Sequence, residues 1–260
     1  MSVFTDDTLV PPRDLGDRED PSAVFTRSYL TIRTTVGIIG VALPFVFIIG
    51  ELFFLRGGVH VRGSLSAYYH TTMRDYFVGG LTVVGVLLAT YMAGQSRRTD
   101  FKLSLVSGLA VLGVAFFPTK RPSLPDGAPL CGTVPEPTGC SPMQQYWGET
   151  EVATIHFASA GVFILSLAAT CFYFAYRERE KHGNPRMEKI QIICGCMILA
   201  AVAWAVVGGW LGLDIGELTP LYIGEVVSVW AFGASWLLSG REIWRAVFSP
   251  RSAQVEDTRR

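Results

Sequence analysis

Six stretches of the chain are nearly free of charge and long enough to cross a bilayer core, which takes about 20 mostly apolar residues in a helix. They run from Thr34 to Leu55, Tyr76 to Gln95, Leu103 to Thr119, Val152 to Tyr176, Ile190 to Leu213 and Leu218 to Gly240. The first holds one charge, Glu51; the fourth holds His156 and the sixth Glu225. Helices of a soluble domain show a polar face at a period near 3.6 residues, and these stretches mostly do not. The pattern predicts an all-α, polytopic membrane bundle of six transmembrane helices forming one domain over residues 33–245. Tails of residues 1–32 and 246–260 flank it.

Composition points the same way. Half of the 260 residues are hydrophobic and 17% are charged, against about 25% charged in soluble domains; the mean hydropathy is +0.35. Lys+Arg and Asp+Glu are equal at 22 each, which speaks against a nucleic-acid partner held by a large basic face. Position along the chain matters more than the total. The first tail, the second and fourth connections and the C-terminal tail together hold 17 Lys and Arg, and the opposite side holds 5. Basic residues stay inside, so both termini are expected in the cytoplasm of a multi-pass protein of the cell membrane. Residues 1–32 are acidic and contain Pro (Asp6, Asp7, Asp14, Asp17, Glu19 and Asp20). That is unlike the basic-then-apolar start of a cleaved signal peptide, and a disordered tail is expected.

Three of the five cysteines, Cys171, Cys194 and Cys196, fall inside spans, where cysteine behaves as a small hydrophobe. Cys131 and Cys140 fall in the long connection 120–150, on the expected outer side, where an oxidising environment favours a disulfide. Their spacing does not suit a C-x-x-C metal knuckle. Such a bridge would stabilise the loop by about 2–3 kcal/mol.

Polar groups gather at this same outer side. Glu51 lies one turn from the outer end of span 1, His156 about one turn into span 4 and Glu225 about two turns into span 6, and the first outer connection contains Ser66, Tyr68, Tyr69, His70, Arg74 and Asp75. Ionisable groups within a bilayer are costly and usually face an interior or a wet cavity. At 100° per residue His156, Ser159, Ser166 and Thr170 share one stripe, and Tyr222, Glu225, Ser228 and Ser235 another; both are expected to look inward. Plainer roles stand beside these. Glu51 can snorkel to the interface. Thr72-x-x-Asp75 reads as a capping-box variant at the start of span 2. Arg74 can pair with Glu51 or Glu225, or bind a lipid phosphate. Gly208-x-x-x-Gly212, Gly79, Gly80 and Gly85 read as close-packing positions, and Pro44 as a kink in span 1.

The block Ser64-Leu-Ser66-Ala-Tyr68-Tyr69 leading into Phe77-Val78-Gly79, the Phe117-Pro118-Thr119 that closes span 3, and His156 after a long outer loop resemble an uncharacterised family of bacterial six-span membrane proteins. That family is itself distantly similar to the DRAM autophagy modulators and the membrane proteins of GPI-lipid remodelling. The resemblance covers most of residues 34–240 and implies a helical membrane fold and a lipid-related role. Ser66-x-x-x-His70 followed by Asp75 also resembles the first half of the zinc site of the alkaline ceramidase and adiponectin-receptor superfamily. The His-x-x-x-His pair of that superfamily's last span has no counterpart, since the four histidines are at 60, 70, 156 and 182. A zinc site here would draw on His70 and His156 with Asp75 or Glu225.

Three readings follow. In a membrane enzyme acting on lipid at the outer leaflet, His156 is the general base, Glu225 orients it or acts as an acid, and Ser66 or Tyr69 is nucleophile or donor. In a protein that binds lipid or a small ligand, the same outward-facing polar pocket binds without chemistry, through Glu51, His70, Arg74, Asp75 and Tyr222. In an accessory subunit these residues form an internal network, and the outer loop meets a membrane-protein partner.

Overall fold

The structure is a computed structural model that describes residues 21–54, 61–91, 98–122, 124 and 127–248. Among the described residues the long regular elements are all helices. α1 (Pro21–Phe54) is followed by a short 3-10 helix (Leu65–His70), α2 (Arg74–Thr90), α3 (Thr99–Phe116), the short α4 (Pro142–Trp147), and α5 (Glu149–Arg177), which ends in a π turn (Glu178–His182). α6 (Pro185–Leu211) and α7 (Pro220–Phe248) complete it. Among the described residues the strand-like pairing is confined to one isolated bridge, Ile215 with Leu218.

Five of these helices are long and apolar enough to cross a membrane: Arg27–Phe54, Thr99–Phe116, Glu149–Glu180, Pro185–Leu211 and Pro220–Gly240. α2, on the second expected span, is shorter at 17 residues. The expected ends of spans 1 and 2, at Leu55 and Gln95, lie outside the described residues, as do residues 1–20 and 249–260 of the expected tails. α1 begins at Pro21, well before Thr34. The disordered tail expected over residues 1–32 is therefore corrected to helix from Pro21. Arg27 and Arg33 interrupt the hydropathy there, yet Arg33 is buried between aromatic rings.

Local sequence sets the breaks between helices. Pro185 occupies the first turn of α6, where its missing N–H is no loss, and the Asn184 side chain caps the turn by accepting from the Met187 N–H at 3.2 Å. Gly212 ends α6 at φ +65°, in the left-handed region open to glycine. The Leu213 N–H then reaches back to the Gly208 carbonyl at 2.9 Å. Gly212 is thus a cap rather than a packing position. Gly79 has no neighbour for a side chain to meet, whereas Gly85 does pack closely. α1 runs on through Pro44.

The helices close into a ring in the order α1, α2, α3, α5, α6, α7, with the α1–α2 seam the loosest. Glycines permit the tight crossings. A methyl on Gly108 of α3 would stand 2.6 Å from the Gly85 carbonyl oxygen of α2, and one on Gly233 of α7 3.0 Å from the Gly37 carbonyl oxygen of α1. The outward faces are apolar, with Ile38, Phe45, Ile49, Leu109, Phe157 and Val207 exposed, while Ser104, Ser107, Ser166, Gln191, Ser228 and Ser235 are buried. This inside-out distribution suits helices that face lipid and pair their polar groups with one another. Ser107 and Ser166 hydrogen-bond at 2.6 Å across α3 and α5, and Ser235 donates to Gln191 Oε1 at 2.6 Å across α7 and α6.

Candidate functional site

One end of the ring is capped by the 3-10 helix, α4 and the loop between α3 and α4. The cap is pinned at the first turn of α5. There the fully buried Glu149 carboxylate accepts from the Arg121 backbone N–H at 2.6 Å, from Arg121 Nη2 at 3.0 Å and from the Cys131 N–H at 3.1 Å. Arg121 also donates to the Thr138 and Pro129 carbonyls, so one guanidinium gathers the whole loop. The Cys131–Cys140 disulfide closes it, as the sequence suggested. Ser141 and Gln144 form a reciprocal capping box at α4.

The two histidines of this end serve the segment Phe117–Thr119. His156 is buried, and its Nδ1–H donates to the Phe117 carbonyl at 2.6 Å; His70 Nε2–H donates to the Thr119 carbonyl at 2.8 Å, which also accepts from Gln144 Nε2 at 2.9 Å. Burial holds His70 below the usual imidazole range, so the neutral ring is favoured. These bonds tie α5, the 3-10 helix and α4 to the C-terminal end of α3. Among the described residues, the three-donor grouping that could hold a metal is Cys131, Glu136 and Cys140, and both of its thiols are consumed in the disulfide. His70, His156 and Asp75 do not come together as a zinc triad.

Ser66 and Glu225 do come together. The Leu65 N–H donates to Glu225 Oε2 at 2.6 Å and Ser66 Oγ–H to Oε1 at 3.4 Å, docking the 3-10 helix on α7. Both residues line one end of an interior cavity of about 90 Å3. Its walls are single helical stripes: Val36, Gly40, Leu43, Pro44 and Phe47 of α1; Phe77, Leu81 and Val84 of α2; Val111 and Val114 of α3; Ala160, Phe163, Ile164 and Leu167 of α5; Val229 and Phe232 of α7. The stripe on α1 extends ~16 Å at 1.5 Å per residue. The lining is thus apolar and elongated along the bundle axis, and its polar side chains, Ser66 and Glu225, lie toward the capped end.

The other expected residues take different places. Glu51 is fully buried rather than snorkelling, and pairs with Arg62, whose Nε and Nη2 both lie 3.0 Å from Oε1. The other oxygen, Oε2, has no hydrogen-bond partner. Arg74 therefore pairs with neither Glu51 nor Glu225; its guanidinium lies 4.4 Å over the Tyr69 ring. The Tyr69 ring in turn packs edge-on against His70 and Phe77. The start of α2 forms no capping box: Met73 is the N-cap, its N–H is taken by Thr71 Oγ1, and Asp75 is exposed in the first turn. Asp75 lines a groove on the outward face between α1 and α2, together with Leu43. Tyr68 and Tyr222 are buried and near each other, and both hydroxyls lack a partner of normal geometry. Burial keeps the Tyr68 phenol protonated far above its ordinary range.

Both inward stripes expected from helical spacing are found. His156, Ser166 and Thr170 are buried on α5 with Ser159 half-buried, and Tyr222, Ser228 and Ser235 are buried on α7 with Glu225 half-buried. His156 and Glu225 nevertheless have separate partners, and no hydrogen bond joins them. At the opposite end of the ring, the buried Asp100 accepts from Arg177 Nη1 at 2.8 Å and pairs with Arg98 at 3.3 Å, a cluster the sequence reading missed. A lone acid among Arg97, Arg98 and Lys102 was the available signal.

Comparison of the chain with protein families, with curated proteins and with solved structures finds no match.

Proposed function

We propose that the protein is a six-span membrane protein, with both termini in the cytoplasm, that holds a single lipid-like chain in its interior channel. The channel itself carries this reading: a narrow apolar passage within a ring of helices, ending at one carboxylate and one hydroxyl. The lining runs ~16 Å along α1 but the open space is about 90 Å3, so a chain enters in single file and only as the walls part around it. Polar recognition is concentrated at one end, as in ligand sites with apolar walls and a few placed polar groups.

The topology rests on several supports. α2, on the second expected span, reaches ~26 Å over its 17 residues, close to the ~30 Å of a hydrocarbon core. The disulfide cap fits the oxidising outer side, and the basic connections fit the cytoplasmic side. The kinship with bacterial DRAM-like membrane proteins belongs to the same reading. Leu43 lines both the channel and the lipid-facing groove that holds Asp75, Tyr76, Gly79 and Gly80. Rotation of that one side chain at the loose α1–α2 seam gives a chain a lateral way in from the bilayer. Binding is favoured over catalysis because His156 is committed to a backbone carbonyl, apart from Glu225 and Ser66.

Photolabelling tests this. A long-chain alkanol carrying a diazirine near its end is added to the purified protein, and labelled residues are mapped by peptide mass spectrometry. The reading expects labels on channel residues such as Val36, Ala160 and Phe163. Labels confined to outward residues such as Ile38, Phe45 and Val162 would overturn it.

A further inference from the structure

Glu51, Asp100 and Glu149 are buried and Glu225 is half-buried against the channel, and the four are treated unequally. Glu51 has Arg62 at 3.0 Å, Asp100 has Arg177 at 2.8 Å, and Glu149 has Arg121 at 3.0 Å. Glu225 has no ion-pair partner among the described residues. Its carboxylate receives one backbone N–H and one serine hydroxyl. A carboxylate offers about four acceptor sites; with the Ser66 N–H also turned toward it, part of that capacity stays open at the end of an apolar lining, where an uncompensated charge is costly.

More open acceptors lie beside it. Tyr222 lies three residues before Glu225, on the same face of α7, and Tyr68 belongs to the 3-10 helix that Glu225 docks. The hydroxyls of Tyr68 and Tyr222 and Oε2 of Glu51 are buried and unpartnered. Of the guanidiniums at this end, Arg62 is paired with Glu51 and Arg121 with Glu149, while Arg74 lies over the Tyr69 ring with its Nε unpartnered and makes no ion pair to Glu225. The corner is therefore rich in acceptors and carries one carboxylate without a cation. Phe47, stacked 5.0 Å from Tyr68, presents an aromatic wall to the same corner.

We propose that the chain in the channel carries a protonated amine as its head group, seated on the Glu225 carboxylate, with the Tyr222 hydroxyl on the preceding turn of α7 and Tyr68 on the docked 3-10 helix. This rests on the channel reading above and names its ligand class: a long-chain amine or an aminolipid. The ammonium supplies the missing counter-charge and three N–H donors for the open acceptors. A carboxylate or phosphate head would meet Glu225 with like charge.

The test is the thermal unfolding of the full-length protein in a neutral detergent with dodecylamine, dodecanol or dodecanoate at equal concentration, since a ligand of the folded state raises the unfolding temperature. Dodecylamine is expected to raise the wild-type midpoint more than dodecanol, and dodecanoate least. In Glu225→Gln the amine shift is expected to fall to that of the alcohol. Tyr222→Phe, which keeps the ring, is expected to reduce the shift in part and serves if Glu225→Gln does not fold. Equal shifts from amine and alcohol in the wild type would overturn the head-group assignment while leaving the channel reading standing. An amine shift unchanged in both variants would also overturn it. No shift from any of the three would remove both readings.

Discussion

Arg121→Ala strands a buried charge, and its cost can be worked from the structure. The Glu149 side chain is fully buried, and Arg121 supplies it with an ion pair at 3.0 Å and the Nε and Nη2 donors. The backbone N–H groups of Arg121 and Cys131 would remain after the substitution. Removing one partner of a buried pair costs about 3–5 kcal/mol. The Arg121 side chain is 11% exposed, so water can reach part of the vacated space, and the lower end, about 3 kcal/mol, is expected. The bonds to Thr138 and Pro129 add little, because both residues are exposed and their carbonyls can turn to water. At about 2–4 °C per kcal/mol for a domain of this size, the predicted fall in unfolding temperature is about 6–12 °C. Tryptophan fluorescence during heating reports it, with Trp147 in the cap itself. Combining Arg121→Ala with Glu149→Gln removes the stranded charge, so the double variant should recover part of the loss. A single variant within about 2 °C of wild type, or a double variant that shows the sum of the two single losses, would refute the reasoning.

Other consequences are as direct. Replacing Cys131 and Cys140 by serine opens a loop of sequence separation 9 and should cost about 2.5–3 kcal/mol on the chain-entropy account; a reductant should lower the wild-type midpoint alike and leave the variant unmoved. His70 titrates below the free value because burial disfavours the imidazolium, with Arg74 and Arg121 adding repulsion. The unfolded chain therefore binds the proton more tightly, and stability is full above the free value near pH 6.5 and declines as pH falls below it. His70→Gln should flatten that decline in a pH series of unfolding midpoints, and an unchanged slope would contradict it. Gly108→Ala should separate α2 from α3, because its methyl would meet backbone atoms rather than a flexible side chain; a sharp loss of monodisperse protein on size exclusion is expected, and normal recovery would count against the packing account.

The helices were legible in the sequence because membrane-type spans announce themselves by missing charge, a property of contiguous residues. The inward stripes on α5 and α7 were legible for a related reason: a fixed helical period places Ser166 with His156 and Ser228 with Tyr222. Pairings between distant segments were not. Glu51 with Arg62 and Glu149 with Arg121 depend on how loops return to the bundle, which no spacing rule encodes. The bond from His156 to the Phe117 carbonyl was not legible either, because backbone groups carry no residue signature. Thr72-x-x-Asp75 looked like a capping box, but the preceding 3-10 helix shifts the start of α2, so that Thr71 takes the Met73 N–H instead. The beginning of α1 was hidden by Arg27 and Arg33, although Arg33 donates to the Tyr29 hydroxyl at 2.9 Å and lies 4.6 Å over the Phe174 ring. The channel was the least legible feature. It is made by five helices each contributing ordinary apolar residues, and only Glu225 marks its end.

Native mass spectrometry of the protein released from mild detergent, wild type beside Ala160→Leu, tests the central claim most directly. Ala160 lines the channel, and a leucine there projects into the space a chain would occupy. The account predicts one lipid-sized increment on the wild-type mass and its loss from the variant, with both proteins folded by circular dichroism. A bare wild-type protein, or the same increment on both, would contradict it.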